Sequence, residues 1–166
     1  AIERSLQQQA WETFLLYGVT GSGKTELYLR AAAWCLRHGR SALVLTPEIA
    51  LSSQVAARFS ARFGNQVAIL HSALTPVERA ATWRGVADGV YPIVVGPRSA
   101  LFAPVQNLGL IVLDEEHDQA YKQGETPRYH TRAVAEFLAV ETGATLLLGS
   151  ATPATETFWR AEQGEI

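Results

Sequence analysis

The apolar residues of this chain gather in short continuous runs: Phe14–Tyr17, Ala42–Leu45, Val67–Leu70, Ile93–Val95, Leu110–Leu113 and Thr145–Leu148. Runs this short, without polar alternation, predict strands covered on both faces. Segments with helical spacing lie between them, over Lys24–His38, Ile49–Phe63, Pro76–Ala87 and Arg132–Thr142. Gly39, Gly64, Gly89 and Gly143 follow these segments at helix-ending positions. Thr75, Pro76 and Glu78 make a capping box with proline in the first helical turn. The alternation predicts an α/β fold, an open and mostly parallel sheet with right-handed crossovers and helices on both faces. Ligands of such sheets sit beyond the carboxyl ends of the strands, so the chemistry is to be sought just after each run.

The first run leads into Gly18-Val19-Thr20-Gly21-Ser22-Gly23-Lys24-Thr25, which fits G-x-x-x-x-G-K-[ST]. The strand, loop and helix context of a phosphate-cradling P-loop is present. Gly18, Gly21 and Gly23 let the backbone curl so that N–H groups, with those of Thr20 and Ser22, surround an anion. The helix N-terminus adds partial positive charge. Lys24 is placed to reach the β and γ phosphates of ATP, and the Thr25 hydroxyl to ligate Mg²⁺. The fifth run empties into Asp114-Glu115-Glu116-His117, a Walker B pattern. Asp114 is the expected second holder of Mg²⁺, and Glu115 the group that polarises the attacking water. His117 reads either as a relay between the γ phosphate and a later segment or as a turn histidine bonded to backbone. Ser150-Ala151-Thr152 follows the last run, and its hydroxyls can bond the Walker B acids or His117.

A length of 166 residues suggests a single domain over 1–166. No run approaches a membrane span and no leader pattern opens the chain. Cys35 is alone, so no internal disulfide forms and no paired cysteines exist for zinc; this suits the cytoplasm. The net charge of −2 gives no global signal for nucleic acid, so any DNA contact has to be local. The last residues, Ala161–Ile166, close no element, which suggests a fragment of a longer protein.

G-x-T-G-S-G-K-T, D-E-E-H and S-A-T together resemble motifs I, II and III of superfamily 2 helicases. Further strings narrow the likeness: Leu45-Thr46-Pro47-Glu48-Ile49-Ala50-Leu51, His71-Ser72-Ala73-Leu74, Arg98-Ser99-Ala100-Leu101-Phe102-Ala103-Pro104, Tyr121-Lys122-Gln123 and Arg128-Tyr129-His130. With these, the chain from about Leu15 to Glu156 closely resembles the family of bacterial replication-restart helicases. The resemblance implies the first RecA-like lobe of an ATP-dependent 3′→5′ DNA helicase. Such an enzyme unwinds stalled or repaired forks and promotes primosome assembly at the nucleoid. A second lobe would supply arginines to the ATP site, and DNA and replication-restart proteins would be its partners; the family's DNA-binding region and zinc insertion have no counterpart here. Another superfamily 2 translocase, or an ATP-dependent docking module, remains the alternative.

The helicase reading sends DNA past Thr46, Pro47 and Glu48 and past Arg98 and Ser99, holding phosphates without reading bases. The loop Asp118–His130, with Tyr121, Lys122, Arg128, Tyr129 and His130, is expected to be exposed, to bind single strands and to couple DNA to hydrolysis. Gln8 or Gln9 is the candidate for reading adenine. Three departures from the family pattern stand out. The stretch between Gln7-Gln8-Gln9 and the P-loop is short. Pro97 replaces a threonine and removes an N–H, and Ala133 replaces an acid, which leaves any ion pair it made without a partner.

Overall fold

A computed structural model describes residues 1–8, 10–47 and 54–166. The expected roles of Gln9 and Glu48, and the start of the helix predicted from Ile49, lie outside the described residues. In chain order the elements are α1 (Ile2–Gln8), β1 (Thr13–Tyr17), α2 (Lys24–Arg37), β2 (Ser41–Leu45), α3 (Gln54–Phe63), β3 (Val67–Ile69), α4 (Pro76–Ala87), β4 (Ile93–Gly96) and β5 (Leu108–Asp114). They continue with β6 (Lys122–Gln123), β7 (Tyr129–His130), α5 (Thr131–Thr142), β8 (Thr145–Ser150) and α6 (Thr155–Glu162). Each predicted strand and helix falls on an observed element within a few residues at its ends.

Six strands form one sheet in the order β1-β8-β5-β2-β4-β3, and all its pairings are parallel. The continuous apolar runs are explained by what covers them. On β2, Ala42 and Val44 face a core with Tyr28, Leu29, Ala32 and Phe59 from α2 and α3. Leu43 and Leu45 face the opposite core with Val86, Ala135 and Ala139 from α4 and α5. Both faces of the central strands are therefore dry, as period-free apolar sequence requires. Thr75 caps α4 as predicted, its side chain accepting from the Glu78 amide while Glu78 accepts from the Thr75 amide at 2.8 Å.

The sequence pattern missed α1, α6 and the β6–β7 hairpin. Both helices are short and mostly polar. α1 buries only Ser5 and Leu6, and α6 only Thr157. The hairpin pairs just Lys122 with His130 and Gln123 with Tyr129, too few residues to show a period of two. No helix among the described residues is long and apolar enough to cross a membrane.

Candidate nucleotide site and nucleic-acid face

β1 ends at Tyr17, and the chain turns at once into the glycine loop. The Gly18 amide donates to the Ser150 carbonyl at 3.1 Å, which ties the loop to the end of β8. Gly21 and Gly23 hold φ of +83° and +94°, a region that side-chain-bearing residues avoid. Gly23 caps α2 with no side chain to offer. The amides of Gly21, Gly23, Lys24 and Thr25 donate to no acceptor among the described residues, which is the arrangement an anion satisfies. Lys24 folds back, donating to the carbonyls of Gly18 at 2.5 Å and Val19 at 3.3 Å. The loop's donors and the Thr25 hydroxyl thus fit a magnesium-bound phosphate group.

Asp114 is the last residue of β5, and it pairs in register with Gly149 of β8. The Tyr28 hydroxyl donates to Asp114 Oδ1 at 3.1 Å. Tyr28 stands one helical turn beyond Lys24, so the phosphate helix and the Walker B strand are joined by a direct bond. Gly149 makes this possible, because a Cβ there would lie 1.6 Å from the Tyr28 oxygen. Burial raises the Asp114 carboxyl above the ordinary carboxylate range, and Glu115 adds to this, while the bond from Tyr28 and the charge of Lys24 oppose it. The Tyr28 phenol is raised well above its ordinary value, first by burial and then by Asp114. Residue spacing marks Tyr28 as no more than part of a buried helix face; the useful clue is that a buried tyrosine hydroxyl needs a partner.

His117 joins motifs II and III. Its Nδ1 is 2.8 Å from Ser150 Oγ and its Nε2 is 3.3 Å from Thr152 Oγ1, while Glu115 Oε2 lies 3.8 Å from Nδ1. Of the two readings of His117, the bridge is the one this geometry carries. Glu116, only 2% exposed, points away from the nucleotide side. It accepts from the Ala154 amide at 2.7 Å and the Thr157 hydroxyl at 3.0 Å, with Arg132 at 3.8 Å. This buried acid ties the chain after Walker B to the start of α6. Arg132 also meets Glu156 at 3.0 Å, so it stands between a buried and an exposed acid.

Several residues assigned to DNA sit differently from expectation. Tyr121 is fully buried and donates to the Asp114 carbonyl at 2.7 Å, so it offers no stacking face and leaves only the coupling role. Arg98 donates to the carbonyls of Ala120 and Lys122, both at 2.9 Å, so its guanidinium clamps the backbone on either side of Tyr121. Thr46, expected to face a strand, is only 6% exposed. The segment Asp118–His130 is therefore a braced hairpin rather than an open loop. Lys122, Arg128 and Ser99 are exposed, and Tyr129 is half-buried edge-on to Phe102 with ring centres 5.3 Å apart. His130 caps α5 by accepting from the Arg132 amide, and its pKa is lowered by burial and then by Arg132 and Lys122. Gln8 is exposed at the end of α1.

A parallel sheet with a P-loop after one strand and a Walker B acid two strands away defines a RecA-like nucleotide-binding lobe. Residues 2–158 match the DEAD/DEAH box helicase family, and the chain belongs to that family. It is 50% identical over 97% of its length to the replication restart protein PriA of Chlamydia pneumoniae and 48% identical over 98% to that of Bacillus subtilis. It covers 22% and 20% of those proteins, so the chain spans about a fifth of the length of the curated relatives it matches. Among solved structures, RecG bound to a three-way DNA junction superposes with a TM-score of 0.63 at 23% identity, over 99% of this chain and 22% of RecG. The Hef helicase domain of Pyrococcus furiosus gives 0.57 at 22% identity, over 93% of this chain and 32% of that one. These structures share the fold.

Proposed function

We propose that this chain is the first ATP-binding lobe of a 3′→5′ DNA helicase acting in replication restart, one that unwinds forked DNA and supports primosome assembly. The observation that carries this reading is the Tyr28–Asp114 bond, which brings the P-loop helix and the Walker B strand to one point. The likeness to PriA proteins over nearly the whole chain supports the choice within the family.

Lys24, Thr25 and the free loop amides hold the phosphates, and Thr25 with Asp114 would hold Mg²⁺. Bound magnesium neutralises developing charge on the triphosphate. Glu115 orients and deprotonates the attacking water. His117 senses the same region and passes its position to Ser150 and Thr152. A second lobe supplies further cations. The lobe alone hydrolyses ATP slowly, since half the electrostatic stabilisation is missing.

Coupling to DNA runs through the hairpin. Its brace reaches Asp114 through Tyr121, and its outer face carries Lys122, Arg128 and Tyr129. Tyr129→Ala in the full-length protein is expected to weaken DNA stimulation of ATP hydrolysis while leaving DNA-free hydrolysis intact; equal stimulation in the two proteins rejects this route. The reading as a whole is tested by DNA-stimulated ATP hydrolysis and forked-DNA unwinding by the full-length protein, with Lys24→Ala as the control that ties both to this site. A protein that binds ATP but shows neither activity is a docking module instead.

A further inference from the structure

At the opposite end of the same sheet edge lies a groove of about 950 Å³. Its floor and walls come from the segments after β3 and β4 and from α4, with Trp83, Pro97 and Phe102 as apolar surface. Arg79, Arg84 and Ser99 stand along it, and no carboxylate lines it among the described residues. Arg84 has no side-chain partner among the described residues, and Arg79 meets only the His71 carbonyl, at 3.3 Å. His71, also in the lining, keeps a buried Nδ1 without a partner. An unpaired polar atom of this kind is costly unless a ligand or water meets it.

We infer that this groove captures one base of a single-stranded nucleic acid, stacked on Trp83, with the flanking phosphates on Arg79 and Arg84. The inference rests on the helicase reading and adds a base-holding site to it. Three observations favour a nucleic acid. Arg98, the cation expected to hold phosphate here, is already committed to the carbonyls of Ala120 and Lys122. Pro97 has no amide to offer in its place. Arg79 and Arg84, which line the groove together with Pro97, have no carboxylate partner among the described residues. Phe102 lines it and meets Tyr129 of the hairpin edge to face, so aromatic surface continues from α4 to the coupling element. A planar, apolar base with an anionic backbone matches apolar walls edged by cations.

The test measures binding of an oligodeoxythymidylate and of an abasic oligomer of equal length to the full-length protein. The wild type should prefer the oligomer with bases, and Trp83→Leu should lose ~5- to 100-fold in affinity for it while binding the abasic strand unchanged. Trp83 also packs against the core, so two exposed-site variants guard against misfolding. Arg79→Gln with Arg84→Gln should lower the slope of log affinity against log salt by about 0.7 for each lost phosphate. Ala80→Glu, at an exposed position in the lining, should weaken both oligomers. Equal affinity of the wild type for the two oligomers overturns the base site. So does an unchanged salt slope in the double variant. Displacement of the oligomer by polyglutamate in the wild type but not in the double variant assigns the groove to an acidic peptide instead. If DNA fails to stimulate ATP hydrolysis at all, the function proposed above fails; intact stimulation without base preference rejects the groove alone.

Discussion

Glu115→Gln in the full-length protein is expected to keep ATP bound while turnover falls by ~10²–10⁴-fold, the usual worth of a positioned general base. Glutamine preserves the shape and hydrogen-bonding reach of the side chain and removes its basicity. The backbone explains why the position is specialised. Glu115 has φ of +50°, a left-handed conformation that costs a non-glycine residue on the order of 1–3 kcal/mol. The Glu115 side chain is about one third exposed and lies 3.8 Å from His117 Nδ1, whereas Glu116 is buried against α6. On the proposed mechanism the adjacent acids take opposite tasks, one chemical and one structural. Nucleotide binding by equilibrium titration and steady-state hydrolysis decide the matter; normal turnover in the variant moves the base elsewhere, with His117 the nearest candidate.

Gly149→Ala should be the most damaging small substitution in the chain. The added Cβ would lie 1.6 Å from the Tyr28 oxygen and 2.9 Å from its ring carbon Cζ. The backbone cannot retreat, because β8 is paired to β1 on one side and β5 on the other. Tyr28 has to leave Asp114, which strands a buried hydroxyl at about 1–3 kcal/mol, and overpacking adds about 1–3 kcal/mol more. For a chain of this size each kcal/mol lowers Tm by about 2–4 °C, so thermal unfolding should shift by roughly 10 °C. Metal-dependent hydrolysis should fall with it, since Asp114 loses the bond that fixes its carboxylate. Tyr28→Phe in the Gly149→Ala background should recover part of the stability but none of the hydrolysis. Wild-type melting and hydrolysis in Gly149→Ala would refute the role given to this contact.

Much of the scaffold was legible in the sequence because buried parallel strands must be continuously apolar and their helices must stop at glycines. The P-loop and the Walker B run announced themselves by residue type at fixed spacing, and the bridge from His117 to Ser150 and Thr152 followed from the strand-end rule. Strand order was not legible. Nothing in the runs themselves says that β8 slips between β1 and β5, since order is set by how the crossover helices pack. The hairpin misled for a related reason. Tyr121 among polar neighbours reads as exposed, yet its ring fills the core and its hydroxyl finds the Asp114 carbonyl. Arg98 likewise reads as a phosphate ligand until the carbonyls of Ala120 and Lys122 are seen to take its guanidinium. A cation's target is a matter of three-dimensional neighbourhood, which spacing does not encode.

The insertion of β8 has a mechanical consequence. The strand leading into the glycine loop and the strand ending in Asp114 share one neighbour, hydrogen-bonded along both its edges. Sliding either partner by one residue would break the parallel ladder on that edge and the close packing of both covered faces, so the three strands behave as a stiff plate. If the lobe moves on binding nucleotide, that movement is expected in the short segments at the plate's rim rather than within the three strands.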